Sequence, residues 1–303
     1  MAHIRIITTA LLCLLAASAF AAPPNQMPSV IHVPAAAQPS AHFDAVAATD
    51  AYLAEIPPAA KSRSDAYFEG GYWLLLWDFL YGAAISLLLL ALGWSARMRD
   101  VAERITAIGP LRTAIYWTEY VLVVSILSFP LAVYEGYFRE HKYGLATQTF
   151  GPWMGDQMKD LMLNVIAGGI LVAMLIGVVR KLPRTWWLWG ALVTIVFMAF
   201  LQLIAPLYVV PLFNKVTRLE NPAITGPILR LARANGIPAN DVYVIDASRQ
   251  STRMSANVSG LGSTMRITLN DNLLRRGSPE EIQAVMGHEM GHYVLNQDRK
   301  SVV

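Results

Sequence analysis

His288, Glu289 and His292 stand in the order H-E-x-x-H near the end of this 303-residue chain. On a helix, residues four apart share a face, so the two histidines can turn one imidazole nitrogen each toward a single divalent ion. Glu289 follows the first histidine by one position. It is poorly placed to join the ligands and well placed to reach a water beside them. The spacing therefore assigns His288 and His292 as Zn²⁺ ligands and Glu289 as general base and acid. Zn²⁺ lowers the pKa of bound water to about 7 and polarises the scissile carbonyl, while the carboxylate takes the water's proton and returns it to the departing amine. A chance match to this pattern is expected roughly once in a few hundred chains of this composition. The rival reading, a buried helix with core or interface histidines, would bury two imidazoles and a carboxyl without partners at high cost.

The elements around the motif suit it. Ser278, Pro279 and Glu281 supply an N-cap, a proline at the first helical position and the glutamate of a capping box, so a helix is predicted from Pro279 with the motif about two and a half turns in. Ile282, Val285 and Met286 give that helix an apolar side. Upstream, "NPAITGPILRLARANG" has helical spacing and stops at Gly236, and "DVYVIDA" and "TMRITLND" read as strands. Catalytic zinc takes three protein ligands. The one carboxylate after His292 is Asp298, six residues on, which a continued helix would point away from the imidazoles.

Composition sets the rest of the molecule. Hydrophobic residues make up 55% and charged residues 15% of the chain, against about 25% charged in soluble domains. Four apolar stretches, 72–94, 115–134, 161–179 and 186–209, approach the twenty or so residues that cross a hydrocarbon core, with Trp and Tyr at several ends. The fold class expected is mainly α: a multi-span transmembrane helical bundle with a small α+β zinc-metalloprotease segment. Its organisation is a signal peptide or first membrane span over 1–22, a Pro/Ala-rich extramembrane segment over 23–71, a four-span region over 72–209, and the metalloprotease segment, incomplete, over 210–303. The signal-like start suggests a bacterial envelope and hence the inner (cell) membrane. A net charge of +3 without a basic, aromatic-interleaved run excludes a nucleic-acid partner. Cys13, the single cysteine, excludes a disulfide framework. Asp78 within the first span either lines a polar chamber or is solvated near the interface, and Glu135, Arg139, Glu140 and Lys142 read as a salt-bridged loop.

"YFREHKYGLATQTFGPWMGDQMKD" (137–160), "VPLFNKVTRLE" (210–220), "DVYVIDAS" (241–248), "RITLNDNLL" (266–274) and "EEIQAVMGHEMGH" (280–292) occur in the order found in the type I CAAX prenyl proteases. The chain resembles that family of integral-membrane zinc metalloendopeptidases from about residue 70 onward. The resemblance implies His288 and His292 as ligands, Glu289 as base, and a polypeptide substrate, membrane-associated or extended, met at the lipid bilayer. It implies an Asn-Ala pair on an edge strand above the motif helix. Here the matching stretch is "RMSANVSG", which makes Ala256 and Asn257 the substrate-binding candidates. It further implies a third ligand, a Glu on a helix beyond two further spans. The chain is accordingly expected to be the front part of such an enzyme, with weak zinc affinity and little peptidase activity. The alternatives are an envelope quality-control protease and a catalytically inactive truncated membrane protein. Lys and Arg in 95–114 and 180–185 put those loops in the cytoplasm and the motif outside by the positive-inside rule, whereas the resemblance implies the reverse.

Overall fold

The protein is described here from a computed structural model, covering residues 33–38, 40, 43–260 and 265–295. The signal-like residues 1–22 and Asp298 lie outside the described residues. Four helices among these are long and apolar enough to cross a membrane: α2 (Pro58–Ala91), α4 (Gly109–Lys142), α5 (Phe150–Lys181) and α6 (Trp186–Phe213). A short α1 (Ala45–Ala54), capped by the Asp44 carboxylate, precedes them, and α3 (Trp94–Ile105) joins α2 to α4. Between none and 11% of each span's most apolar stretch is buried by protein. So much leucine, tryptophan and phenylalanine facing outward is stable only against lipid.

The helices run further than their apolar stretches. α2 begins at Pro58 because a proline at the first helical position lacks only an N–H that would be unpaired there. The expected loop around Glu135 to Lys142 is helical. Pro130, inside α4, removes a ladder donor, and the following turns Tyr134–Arg139 widen into a π-helix instead of stopping. Pro206 is absorbed the same way by a π-helical stretch at Ala205–Val209 of α6.

α4 and α5 are held close by a missing side chain. The Trp117 indole donates to Asn164 O at 3.1 Å and lies over Gly168, where an added Cβ would sit 2.6 Å from the ring. Gly168→Ala is expected to cost about 1–3 kcal/mol by overpacking, seen as a lower Tm in detergent. Gly177→Ala on the same helix, with nothing within 4 Å of its added Cβ, should leave Tm unchanged.

After α6 the chain builds a four-stranded sheet from β1 (Val216–Arg218), β2 (Val242–Ile245), β3 (Ala256–Ser259) and β4 (Arg266–Asn270), in the order β1-β2-β4-β3. β2 and β4 are parallel, Val244 opposite Leu269; the outer pairings are antiparallel, with Val216 opposite Ile245 and Ala256 opposite Leu269. α7 (Pro222–Ala234), ended by Gly236 at φ +69°, and α9 (Pro279–Val294) cover the sheet, with α8 (Asp271–Arg276) between β4 and α9. Ile228, Ala232, Val242, Ile267, Leu269, Leu273, Ile282, Met286 and Met290 form the buried core between them.

This segment is moored to one end of the bundle. Buried Asp156 of α5 accepts from Gln148 (2.7 Å), Gln250 (2.8 Å) and Lys159 (2.8 Å), and Lys159 also donates to Leu212 O of α6. Arg253 pairs with Glu140 of α4 at 2.8 Å and donates to the Tyr67 hydroxyl of α2 at 2.7 Å. Tyr67 in turn donates to Glu140, and the Arg139 guanidinium lies over the Tyr67 ring. The α4–α5 link adds a β-bridge, Ala146 opposite Ser251. The basic loops around α3 and after α5 sit at the opposite end, because each span reverses the chain. Asp78 and Glu135 line a cavity of about 490 Å³ between α2 and α4.

Candidate metal centre

Both halves of the capping box at the start of α9 are formed. The Ser278 hydroxyl accepts from the Glu281 N–H at 3.2 Å, and the Glu281 carboxylate accepts from the Ser278 N–H at 2.7 Å. Ile282, Met286 and Met290, spaced by four, point the helix into the core. His288 is two residues past Met286, about 200° around the helix, so it and His292 face away from the core. His288 is exposed and His292 half-buried.

The two imidazoles meet. Their Nε2 atoms are 2.9 Å apart, the ring centroids 4.5 Å apart and the planes at 88°. One Nε2 must donate to the other at that distance. For both lone pairs to reach an ion, the donating ring has to carry its proton on Nδ1 instead. Two nitrogens about 2.05 Å from a tetrahedral zinc ion lie about 3.3 Å apart, so the pair fits that donor geometry with a small opening. Among the described residues no group of three or more His, Cys, Asp or Glu side chains is gathered in reach of one ion. Glu289 is half-buried and makes no hydrogen bond or ion pair among the described residues. A carboxylate beside two convergent imidazoles, itself without a partner, is available to hold water.

β3 is an edge strand packed on α9. Asn270 N donates to Ser255 O at 2.9 Å. Alternation in an antiparallel ladder then turns the backbone of Asn257 inward to β4 and that of Ala256 and Val258 outward, free to accept another strand. The side chains alternate oppositely. Ala256 and Val258 pack on the core, and Asn257 is exposed on the other face. Of the two substrate-binding candidates, Ala256 thus offers backbone groups at the open edge, and Asn257 offers a side chain away from α9.

Two asparagines outside the H-E-x-x-H motif hold the approach to this strand. Buried Asn272 donates to Ser251 O (2.7 Å) and Arg253 O (3.0 Å), and buried Asn270 donates to Arg253 O (2.7 Å) while accepting from Leu273 N. The available signal was two amides flanking Asp271 at the end of an apolar strand. Their partners lie 17 to 21 residues away, beyond any local rule.

Two family models match the chain: "CAAX prenyl protease N-terminal, five membrane helices" over residues 45–215, and "Peptidase family M48" over 218–303. The chain is similar to an uncharacterized metalloprotease of Bacillus subtilis, YhfN, 31% identical over 207 residues, covering 68% of this chain and 48% of that protein. It is also similar to CAAX prenyl protease 1 of Saccharomyces cerevisiae, 34% identical over 174 residues, covering 57% of this chain and 38% of the yeast protein. The chain therefore spans half or less of the length of these relatives. The crystal structure of S. mikatae Ste24p superposes with a TM-score of 0.70 at 25% identity, covering 82% of this chain and 63% of that one.

Proposed function

The chain belongs to peptidase family M48, with the N-terminal membrane region of the CAAX prenyl proteases, and on that premise we propose that it serves a zinc-dependent endopeptidase that cleaves extended segments of membrane-associated polypeptides. His288 and His292 would hold the ion, and Glu289 would be the base. The observation that carries this reading is the 2.9 Å approach of the two Nε2 atoms beside an unpartnered carboxylate, on a helix that also packs under an edge strand. Bound zinc would supply Lewis acidity and make water nucleophilic near neutral pH.

The other steps belong to this chain. An extended peptide pairs with the open side of β3, its backbone bonding to the outward N–H and C=O of Ala256 and Val258, with Asn257 at the rim. This addition lays the scissile bond along α9. Glu289 orients the attacking water, accepts its proton, and passes that proton to the amine as the C–N bond breaks. Recognition through main-chain groups selects an unfolded stretch rather than a particular side chain. That suits both a prenylated C-terminal tail and a misfolded membrane protein. The signal-like first residues and the Bacillus relative support a bacterial cell membrane as its location.

A second reading, an inactive scaffold, is favoured by the presence of two rather than three gathered ligands among the described residues. Reconstitution of the chain in phospholipid vesicles with an internally quenched, extended peptide separates the two. The protease reading expects cleavage that a zinc chelator stops and added Zn²⁺ restores. A rate equal to that of peptide-only vesicles, at saturating Zn²⁺, would leave the scaffold.

A further inference from the structure

At the end of the bundle remote from α9, three helices bring arginines to one cleft of about 570 Å³: Arg99 from α3, Arg112 from α4 and Arg180 from α5. Glu103 is the acidic residue among the lining groups and pairs with Arg112 at 3.3 Å; with Asp100, which pairs with Arg99 from beside the cleft, the three arginines keep an excess of one positive charge. Arg180 makes no ion pair or hydrogen bond among the described residues, and the Arg112 Nε is buried without a hydrogen-bond partner. The Arg180 guanidinium comes close to the α4 backbone at Gly109, where an added Cβ would sit 3.0 Å away. Below the arginines the wall is apolar, with Leu90 of α2 and Ile176 of α5.

We infer that this cleft binds the headgroup phosphate of an anionic phospholipid. An isolated arginine near a span end reaches for the interface by itself. Three arginines from separate helices converge on one concavity, Arg180 unpaired and Arg99 and Arg112 each held by a half-exposed carboxylate, an arrangement suited to phosphate oxygens, which a planar guanidinium meets with two parallel N–H donors. The apolar wall lies on membrane-crossing helices directly beneath, where acyl chains of the same molecule run, and basic pockets between spans are where anionic headgroups dock. A free phosphate would use the arginines and leave that wall empty. α3 fits the location: Met98 and Ala102 are buried, while Arg97, Glu103 and Arg104 are exposed and Asp100 half-exposed, the two-sided pattern of a helix lying along a membrane surface. The inference is independent of the peptidase reading.

The test titrates the full chain in a neutral detergent with dioctanoyl-phosphatidylglycerol, dioctanoyl-phosphatidylcholine and inorganic phosphate, read by microscale thermophoresis. Phosphatidylglycerol should bind at least about tenfold more tightly than phosphatidylcholine, and Arg180→Gln and Arg99→Gln should each weaken it about fivefold. Both side chains are exposed, so neither variant threatens the fold. Arg184→Gln, at the same end but outside the cleft, should change nothing. Equal affinity for the two lipids would overturn the inference, as would an equal loss in Arg184→Gln, which would mean diffuse surface charge. Inorganic phosphate binding as tightly as phosphatidylglycerol would overturn it as well, by making this a site for the free anion.

Discussion

For the endopeptidase that this chain is proposed to serve, Glu289→Gln is expected to lower chelator-sensitive peptide hydrolysis by about 100- to 10,000-fold, the usual worth of a positioned general base, and to leave zinc content unchanged. Gln keeps the shape and hydrogen-bonding reach of Glu but cannot take a proton. Glu289 has no ion pair to lose among the described residues, and the neighbouring α9 core of Ile282, Met286 and Met290 is untouched. The fold should be indifferent to the change. Rate constants measured together with bound zinc per chain separate the roles. A fall in zinc matching the fall in rate would make Glu289 a ligand, and an unchanged rate would remove it from the chemistry altogether.

The second large effect belongs to the histidines. With two imidazoles gathered at the site, His288→Ala or His292→Ala leaves one nitrogen to hold the ion. Loss of a supporting partner outside a metal's own ligands costs about 10- to 100-fold in affinity, so loss of a ligand from so small a set should exceed about 100-fold. Competition against a chromophoric chelator gives the number. His141→Ala is the control: that ring lies against Tyr137, centroids 4.2 Å apart with the planes tilted by 45°, and bonds to Tyr137 O, far from α9 in sequence and role, and zinc affinity should not respond. Equal losses in all three variants, or none in the α9 pair, would sink the metal assignment. Far-ultraviolet circular dichroism should be alike throughout, because an exposed or half-buried histidine contributes little to helix packing.

Several elements were legible before any coordinates. Ser278, Pro279 and Glu281 announced the start of α9 because capping is a contract among neighbours four residues apart at most. Gly236 ended α7, and the β-branched runs at 242–245 and 266–270 were strands. The helix limits were less legible. Residues 58–71 and 135–142 are helical although polar, because Pro58 sits where its missing N–H costs nothing and the widened turns after Pro130 carry α4 onward. Hydropathy marks where lipid is and is silent on where a helix stops. β1 is not legible in the sequence for a related reason. Three residues, Val216–Arg218, carry too little pattern to stand out, and only pairing with β2 makes them a strand.

What the amino-acid order determined alone is everything that depends on short spacings and on solvent preference: four lipid-crossing helices, a capped helix bearing His288, Glu289 and His292, and imidazoles one turn apart. What only the tertiary structure decided is the placement of these parts. Gln250 reaches Asp156 across 94 residues, Arg253 reaches Tyr67 across 186, and β3 ends up at the edge, beyond β4, rather than beside β2. No local propensity encodes such pairings. Each is chosen by the whole packed chain, where a buried carboxylate must find donors and a strand must find its neighbour. That choice leaves the backbone of Ala256 open above α9 and brings Arg99, Arg112 and Arg180 together at the far end.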